Sequence, residues 1–206
     1  MAKNNQWLRW AMELQALGQS GEAYTSNVFD QERYARIRQI AAEMMASATG
    51  IPEEKVSGLF CNEIGYQTPK LDTRTAVVKD GKILLVQEAD GRWALPGGWA
   101  DVGLTVKENA MKETLEEAGL VVRPKRLIAL IDRGRNNAGA SPYSIQKAFV
   151  LAEALSGAFT PNAETLASGY FALDSLPELA EEKTTKEQLS LCLEAAASDR
   201  WETVFD

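Results

Sequence analysis

The sequence predicts an α+β protein, a mixed β-sheet sandwiched between helices and preceded by a small helical domain. Three observations lead there. Apolar residues recur at helical spacing through the first third of the chain, then short β-rich runs take over near Lys70. One amphipathic helical stretch interrupts those runs, and another closes the chain. At 206 residues the chain is long enough for one ordinary domain with an appendage. The boundary falls between a helical extension, residues 1–66, and a sheet-bearing domain, residues 67–206.

Trp7, Trp10, Ala11, Leu14 and Leu17 set the first helical stripe, and Gly18, Ser20 and Gly21 predict its end. Asp30 is the expected cap of a second helix, with Tyr34, Ile37, Ile40, Ala41 and Met44 on its inner face. Gly50-Ile51-Pro52 stops it, and a helical turn through Val56 and Leu59 follows. The apolar stripes exceed what two helices bury between themselves, so packing against a second subunit as a homodimer is expected.

Thr73 to Lys79 and Lys82 to Glu88 read as strands joined by Asp80-Gly81, a two-residue hairpin signal. Arg92 to Leu95 reads as a short strand leading into Pro96-Gly97-Gly98. A helix over 105–118 follows, with Thr105 and Glu108 as a capping box and Gly119 at C′. Leu127 to Asp132, Gln146 to Glu153 and Tyr170 to Leu173 complete the strands, with a polar loop from Arg133 to Ser144. The closing helix starts near Thr184, with Thr184 and Glu187 as its expected capping box. Leu189, Cys192, Leu193 and Ala196 form its inner face.

Composition narrows function. A formal net charge of −7 leaves no excess of Lys or Arg to coat nucleic acid, and the absence of histidine removes His-based triads and His-ligated zinc. Cys61 and Cys192 form no C-x-x-C pair and read as reduced thiols. The sequence shows no signal-peptide h-region and no membrane-length apolar run, which predicts a cytoplasmic protein without membrane partners.

The chemistry concentrates in the 105–118 helix. Glu113, Glu116 and Glu117 stand at i, i+3 and i+4, so three carboxylates share one face. Such a face repels itself unless a cation occupies it, and hard divalent cations prefer oxygen ligands.

The frame around them, Gly98 to Leu120, resembles the signature of the Nudix hydrolases, G-x5-E-x7-R-E-U-x-E-E-x-G-U with U aliphatic. Lys112-Glu113, Glu116-Glu117 and Gly119-Leu120 fill the motif, and Trp93, Leu95, Pro96 and Gly97 match the pattern that precedes it. Leu104 replaces the first Glu, Lys112 the Arg, and Thr114 an aliphatic residue. Lys keeps the charge but lacks the planar fork, so a looser hold on the glutamates is expected.

The N-terminal Trp-Leu-Arg-Trp, the Gly65 to Arg74 run and the stretch from Ser168 to Pro177 are similar to a bacterial subfamily with a helical extension. Its members are ADP-ribose or CDP-choline pyrophosphatase-like. The resemblance implies a Nudix fold and a Mg2+- or Mn2+-dependent pyrophosphatase that cuts a nucleoside diphosphate linked to another moiety. It implies that Glu113, Glu116, Glu117 and the Gly97 carbonyl hold the metal. One glutamate of the Glu116-Glu117 pair, or Glu164, then activates water, with Lys112 supporting the carboxylates. Arg133, Arg135 and Lys147 are candidates for the substrate phosphates, and Trp99 and Tyr143 for stacking on a base. The alternatives are RNA end-processing or exonuclease action, with RNA as a secondary substrate, and a nucleotide-sensing module that binds without hydrolysis.

Overall fold

The computed structural model describes residues 2–60, 63–139, 141 and 143–206. It divides into two compact units: residues 1–69 with 140–144, and residues 70–139 with 145–206.

The first unit holds α1 (Ala2–Tyr24), α2 (Val28–Thr49) and α3 (Glu53–Phe60). α1 runs straight through Gly18 and Gly21, where the sequence predicts a stop. Both glycines mark close helix approach: a Cβ on Gly21 would lie 2.3 Å from the Tyr34 ring, and one on Gly18 would lie 2.8 Å from Arg38 Cγ. α2 is capped by Asn27 rather than Asp30, because Asn27 Oδ1 accepts from the Phe29 and Asp30 N–H groups. Asp30 sits in the first turn and pairs with Arg33 at 2.6 Å. The packed stripe is Leu8, Ala11, Ala41, Ala42, Met45 and Val56. Trp7, Trp10 and Leu17 lie outside it and are exposed. Trp7 and Trp10 meet edge to face at 5.2 Å.

The second unit is one mixed sheet: β1 (Lys70–Lys79), β2 (Lys82–Glu88), β3 (Trp93–Ala94), β4 (Leu120–Asp132), β5 (Ile145–Gly157), β6 (Thr165–Phe171) and β7 (Val204–Phe205). The order is β3-β2-β1-β5-β4-β7, with β6 beside β2. Three helices accompany it: α4 (Val106–Ala118), the short α5 (Arg133–Asn136) and α6 (Lys186–Ala197). Strand alternation sends Val77, Leu84, Val86, Val122 and Ala152 toward Ala118 of α4. The opposite face sends Ala76, Ile83, Leu85 and Phe149 toward Leu189, Cys192 and Ala195 of α6. The sheet is therefore covered on both sides.

β1 controls where the site forms. One edge pairs in parallel with β5 from Lys70 to Val77. The other pairs with β2 only at Val78 and Lys79, beside the Asp80-Gly81 turn. Below that, β2 pairs with β3, keeping β6 as a partner from Ile83 to Glu88, and the free edge of β1 binds the 96–100 turn instead. Thr75 N–H donates to Pro96 O, Thr73 N–H to Gly98 O and Ala100 N–H to Leu71 O, each at 2.8 Å.

The closing helix starts one residue later than the sequence suggests. Thr184 Oγ1 is buried and accepts from Leu95 N–H at 3.0 Å, so Thr185 caps α6 in a box with Gln188. β4 and β5 are longer than predicted, and β7 has no signal in its two residues. Cys192 is buried and its thiol is pushed up to about 12 by burial. Cys61 lies outside the described residues. Among those described, no helix is long and apolar enough to cross a membrane.

Candidate active site

The site begins with a turn that only glycine allows. Gly97 has φ +142°, and a Cβ there would lie 1.9 Å from Thr73 O. The three backbone bonds to β1 fix the turn, and Arg74 Nη1 donates to Leu95 O at 3.2 Å. Arg74 is in turn gripped by Asp72 through two bonds of 2.9 Å. Both side chains are buried. This fork-to-carboxylate pair holds the start of the turn in place.

Helix α4 presents the carboxylates to that turn. Thr105 and Glu108 form the expected capping box, and Gly119 closes the helix in the left-handed conformation at φ 67°. Asn109 is buried at the helix front, donating to Thr73 Oγ1 at 2.8 Å and accepting from Asp101 N–H at 3.1 Å. Thr114, where the Nudix pattern has an aliphatic residue, is buried with its hydroxyl returned to Ala110 O at 2.7 Å.

The three glutamates have unequal surroundings. Glu117 accepts the Gly97 N–H at 2.7 Å. Burial, with Glu113 and Glu88 nearby, pushes its carboxyl up to about 7 against the opposing pull of the Gly97 N–H and Arg74. Glu113 lies under Gly98, where a Cβ would come within 2.9 Å of its Oε2. Glu116 is exposed. The Lys112 ammonium lies 3.0 Å from Glu116 Oε2, 3.1 Å from Glu113 Oε1 and 3.2 Å from Asp101 Oδ2. Those hydrogen bonds, to Glu116 first, then Glu113 and Asp101, hold its pKa above the ordinary lysine range.

Among the described residues no three acidic side chains converge as a ready-made metal cage. The reason is geometric: Lys112 sits among Asp101, Glu113 and Glu116, while Glu117 is turned to Gly97. The donor set nonetheless suits a hard cation, because every side-chain donor is a carboxylate oxygen. The ammonium is its stand-in, a positive charge that the carboxylates already surround.

Glu164 is exposed in the bend before β6. Its loop is tied to the end of α4, since Asn162 Nδ2 donates to Glu116 O and Thr165 Oγ1 to Glu117 O, each at 2.9 Å. Trp99 and Arg135 are exposed. Arg133 is spent on backbone carbonyls, those of Gly139, Ala138 and Glu182. Lys147 is buried on β5, beside Asp72, where it donates to Lys183 O and Asn137 Oδ1. Burial, more than any neighbour, brings its pKa down to about 7. Tyr143 belongs to the first unit, where its N–H donates to Ser141 Oγ at 3.1 Å.

Sequence reasoning missed Asp101, the Asp72–Arg74 pair, and Glu88, which pairs with Lys183. A signal existed for the second of these. Asp72 and Arg74 are opposite charges at i, i+2 in a strand whose other residues are mostly apolar or Thr.

The chain is similar to known proteins along nearly its whole length. Residues 69–191 match the NUDIX domain, and residues 5–60 match a UDP-X-like, N-terminal oligomerisation domain. The chain is 36% identical over 201 residues to "Putative ADP-ribose pyrophosphatase YjhB" of Bacillus subtilis (strain 168), covering 97% of each protein. A crystal structure of an ADP-ribose pyrophosphatase from Streptococcus suis 89-1591 is 55% identical, with a TM-score of 0.64, over 68% of this chain and 100% of that one. A crystal structure of a UDP-X diphosphatase is 32% identical, with a TM-score of 0.63, over 98% of both. By the match over 69–191 and the full-length likeness to its relatives, the chain belongs to the Nudix family and is a Nudix pyrophosphatase.

Proposed function

We propose that the chain is a Mg2+- or Mn2+-dependent hydrolase of a nucleoside diphosphate linked to a second moiety. The products are a nucleoside monophosphate and a phosphorylated remainder. The observation that carries this reading is Glu113 and Glu117 against the Gly97-Gly98 turn, with the Lys112 ammonium bridging Glu113 to the exposed Glu116. ADP-ribose leads the substrate list because relatives similar over most of the chain carry that name, followed by UDP-linked compounds and CDP-choline.

Glu113, Glu116, Glu117 and the Gly97 carbonyl would hold the metal, which supplies charge neutralisation at the diphosphate and lowers the pKa of bound water. The chain's own residues do the rest. Glu117, through its bond from Gly97 N–H, sets the turn's orientation. Glu164 is the base candidate outside the helix. Arg135 and Trp99, both exposed, are proposed to meet phosphate and base. Arg133 and Lys147, the other two phosphate candidates, are already bonded to backbone carbonyls and rank below Arg135. The helical extension, residues 1–66, is proposed to form a homodimer through the exposed Trp7, Trp10 and Leu17 stripe. A monomer in sedimentation of the full chain would remove that part.

The test is ADP-ribose hydrolysis with Mg2+. Glu116→Gln and Glu117→Gln should each lose about 100-fold or more in rate, the scale at which positioned catalytic groups act. Turnover at the wild-type rate by both would sink the site assignment. A panel of ADP-ribose, UDP-linked sugars, CDP-choline and dinucleoside polyphosphates ranks the substrates.

A further inference from the structure

Lys112 makes three ion pairs with three donors. Its ammonium reaches Glu116 at 3.0 Å, Glu113 at 3.1 Å and Asp101 at 3.2 Å, one carboxylate for each N–H. A magnesium ion binds carboxylate oxygen at about 2.0–2.1 Å, so ammonium and metal compete for the same oxygens of Glu113 and Glu116. Asp101 differs from the two glutamates. It belongs to the loop before α4, and its N–H is held by Asn109, which is itself buried and bonded to β1. Leu104 leaves no carboxylate at the first acidic position of the motif, and Asp101 is the loop carboxylate that reaches the lysine.

We propose that Lys112 is a tethered counter-cation that competes with the divalent metal at Glu113 and Glu116, and that Asp101 is a positioning residue that draws the ammonium aside when metal enters. Lys112 thereby keeps the carboxylate face neutralised without metal. Asp101 lowers the metal concentration at which exchange occurs. The flexible stem of lysine suits such a swing, where the planar fork of arginine would stay in place. Lys112 is 35% exposed and Asp101 56%, so neither is locked by packing.

This rests on the divalent-cation reading of the site, and its test separates the two. Mn2+ binding is measured without substrate, from the electron paramagnetic resonance signal of free Mn2+, on the full chain and four variants. Exposed ion pairs are worth about 0.2–1 kcal/mol, which corresponds to roughly 1.4- to fivefold in affinity. Lys112→Met should tighten Mn2+ by about that factor, and Asp101→Asn should weaken it by about the same. In the double variant Asp101→Asn with Lys112→Met, the Asp101 effect should vanish. Lys107→Met, which removes an equal charge from an exposed position on the same helix, should change affinity by less than Lys112→Met.

Weaker Mn2+ binding by Lys112→Met overturns the competition. So does an Asp101→Asn effect that persists without Lys112, or an equal response to Lys107→Met. If none of the proteins binds Mn2+, the divalent-cation reading itself falls and the competition with it.

Discussion

Two clusters of cation and carboxylate meet the Leu95–Gly98 turn from opposite faces of β1, and they are built for different purposes. On the α6 face, Asp72 and Arg74 make a two-bond fork with both side chains 7% exposed. On the α4 face, Lys112 reaches Asp101, Glu113 and Glu116 from a position open to water. The buried pair fixes geometry, because breaking it leaves a charge with no solvent to take over. The second cluster is exchangeable at Asp101 and Glu116, 56% and 53% exposed, where water and ions can replace the partner at small cost, while Glu113 is 13% exposed. The metal-dependent site proposed above needs both: an unmoving carbonyl turn and carboxylates free to change partners.

The turn shared by the two clusters should be the least tolerant point. A Cβ at Gly97 would sit 1.9 Å from Thr73 O, at a φ that L side chains rarely adopt. Backbone strain and forced overpacking each cost about 1–3 kcal/mol, so Gly97→Ala should lose roughly 4 kcal/mol of stability together with all hydrolysis. Thermal denaturation and a rate assay check this. A stable, active Gly97→Ala protein would show that the turn is not fixed against β1.

Next in size is the buried fork. Asp72→Ala removes the only carboxylate bonded to Arg74 among the described residues, and stranding a buried charge typically costs about 3–5 kcal/mol. Lys112→Met, on the exposed cluster, should change stability by no more than about 1 kcal/mol. Urea denaturation of both variants measures the contrast. Equal losses would erase the distinction between a fixing and an exchanging cluster.

What was legible in the sequence follows the same division. The exposed helix announced itself, since Glu113, Glu116 and Glu117 repeat at helical spacing between glycines whose conformations are special, and its cap residues Thr105, Glu108 and Gly119 act locally. The buried fork left a signal in its i, i+2 charges, but its role was hidden because it depends on β1 losing β2 as a neighbour below Val78, a tertiary event. Thr184 and Asn27 teach the same lesson at helix starts. Thr184 looks like a cap but is taken by Leu95 N–H from 89 residues away, and Asn27 caps α2 where Asp30 had been expected. Gly18 and Gly21 read as breakers because a sequence does not show the Tyr34 ring that lies against one of them.

Lys147 gives the sharpest test, since it lies beside Asp72 on the buried side and yet is a lysine. Burial lowers its pKa from 10.5 to about 7, so the folded protein binds fewer protons there than the unfolded chain between those values. Stability from this site therefore rises as pH increases from about 7 toward 10.5, and below about 7 the full cost of charging the buried amine is present. Lys147→Met removes the titration. The stability difference between wild type and variant, from denaturation midpoints across that range, should shift in favour of wild type as pH rises. A difference that stays flat would mean that Asn137 and the Lys183 carbonyl keep the ammonium charged, and that this lysine, like Lys112, works as a cation.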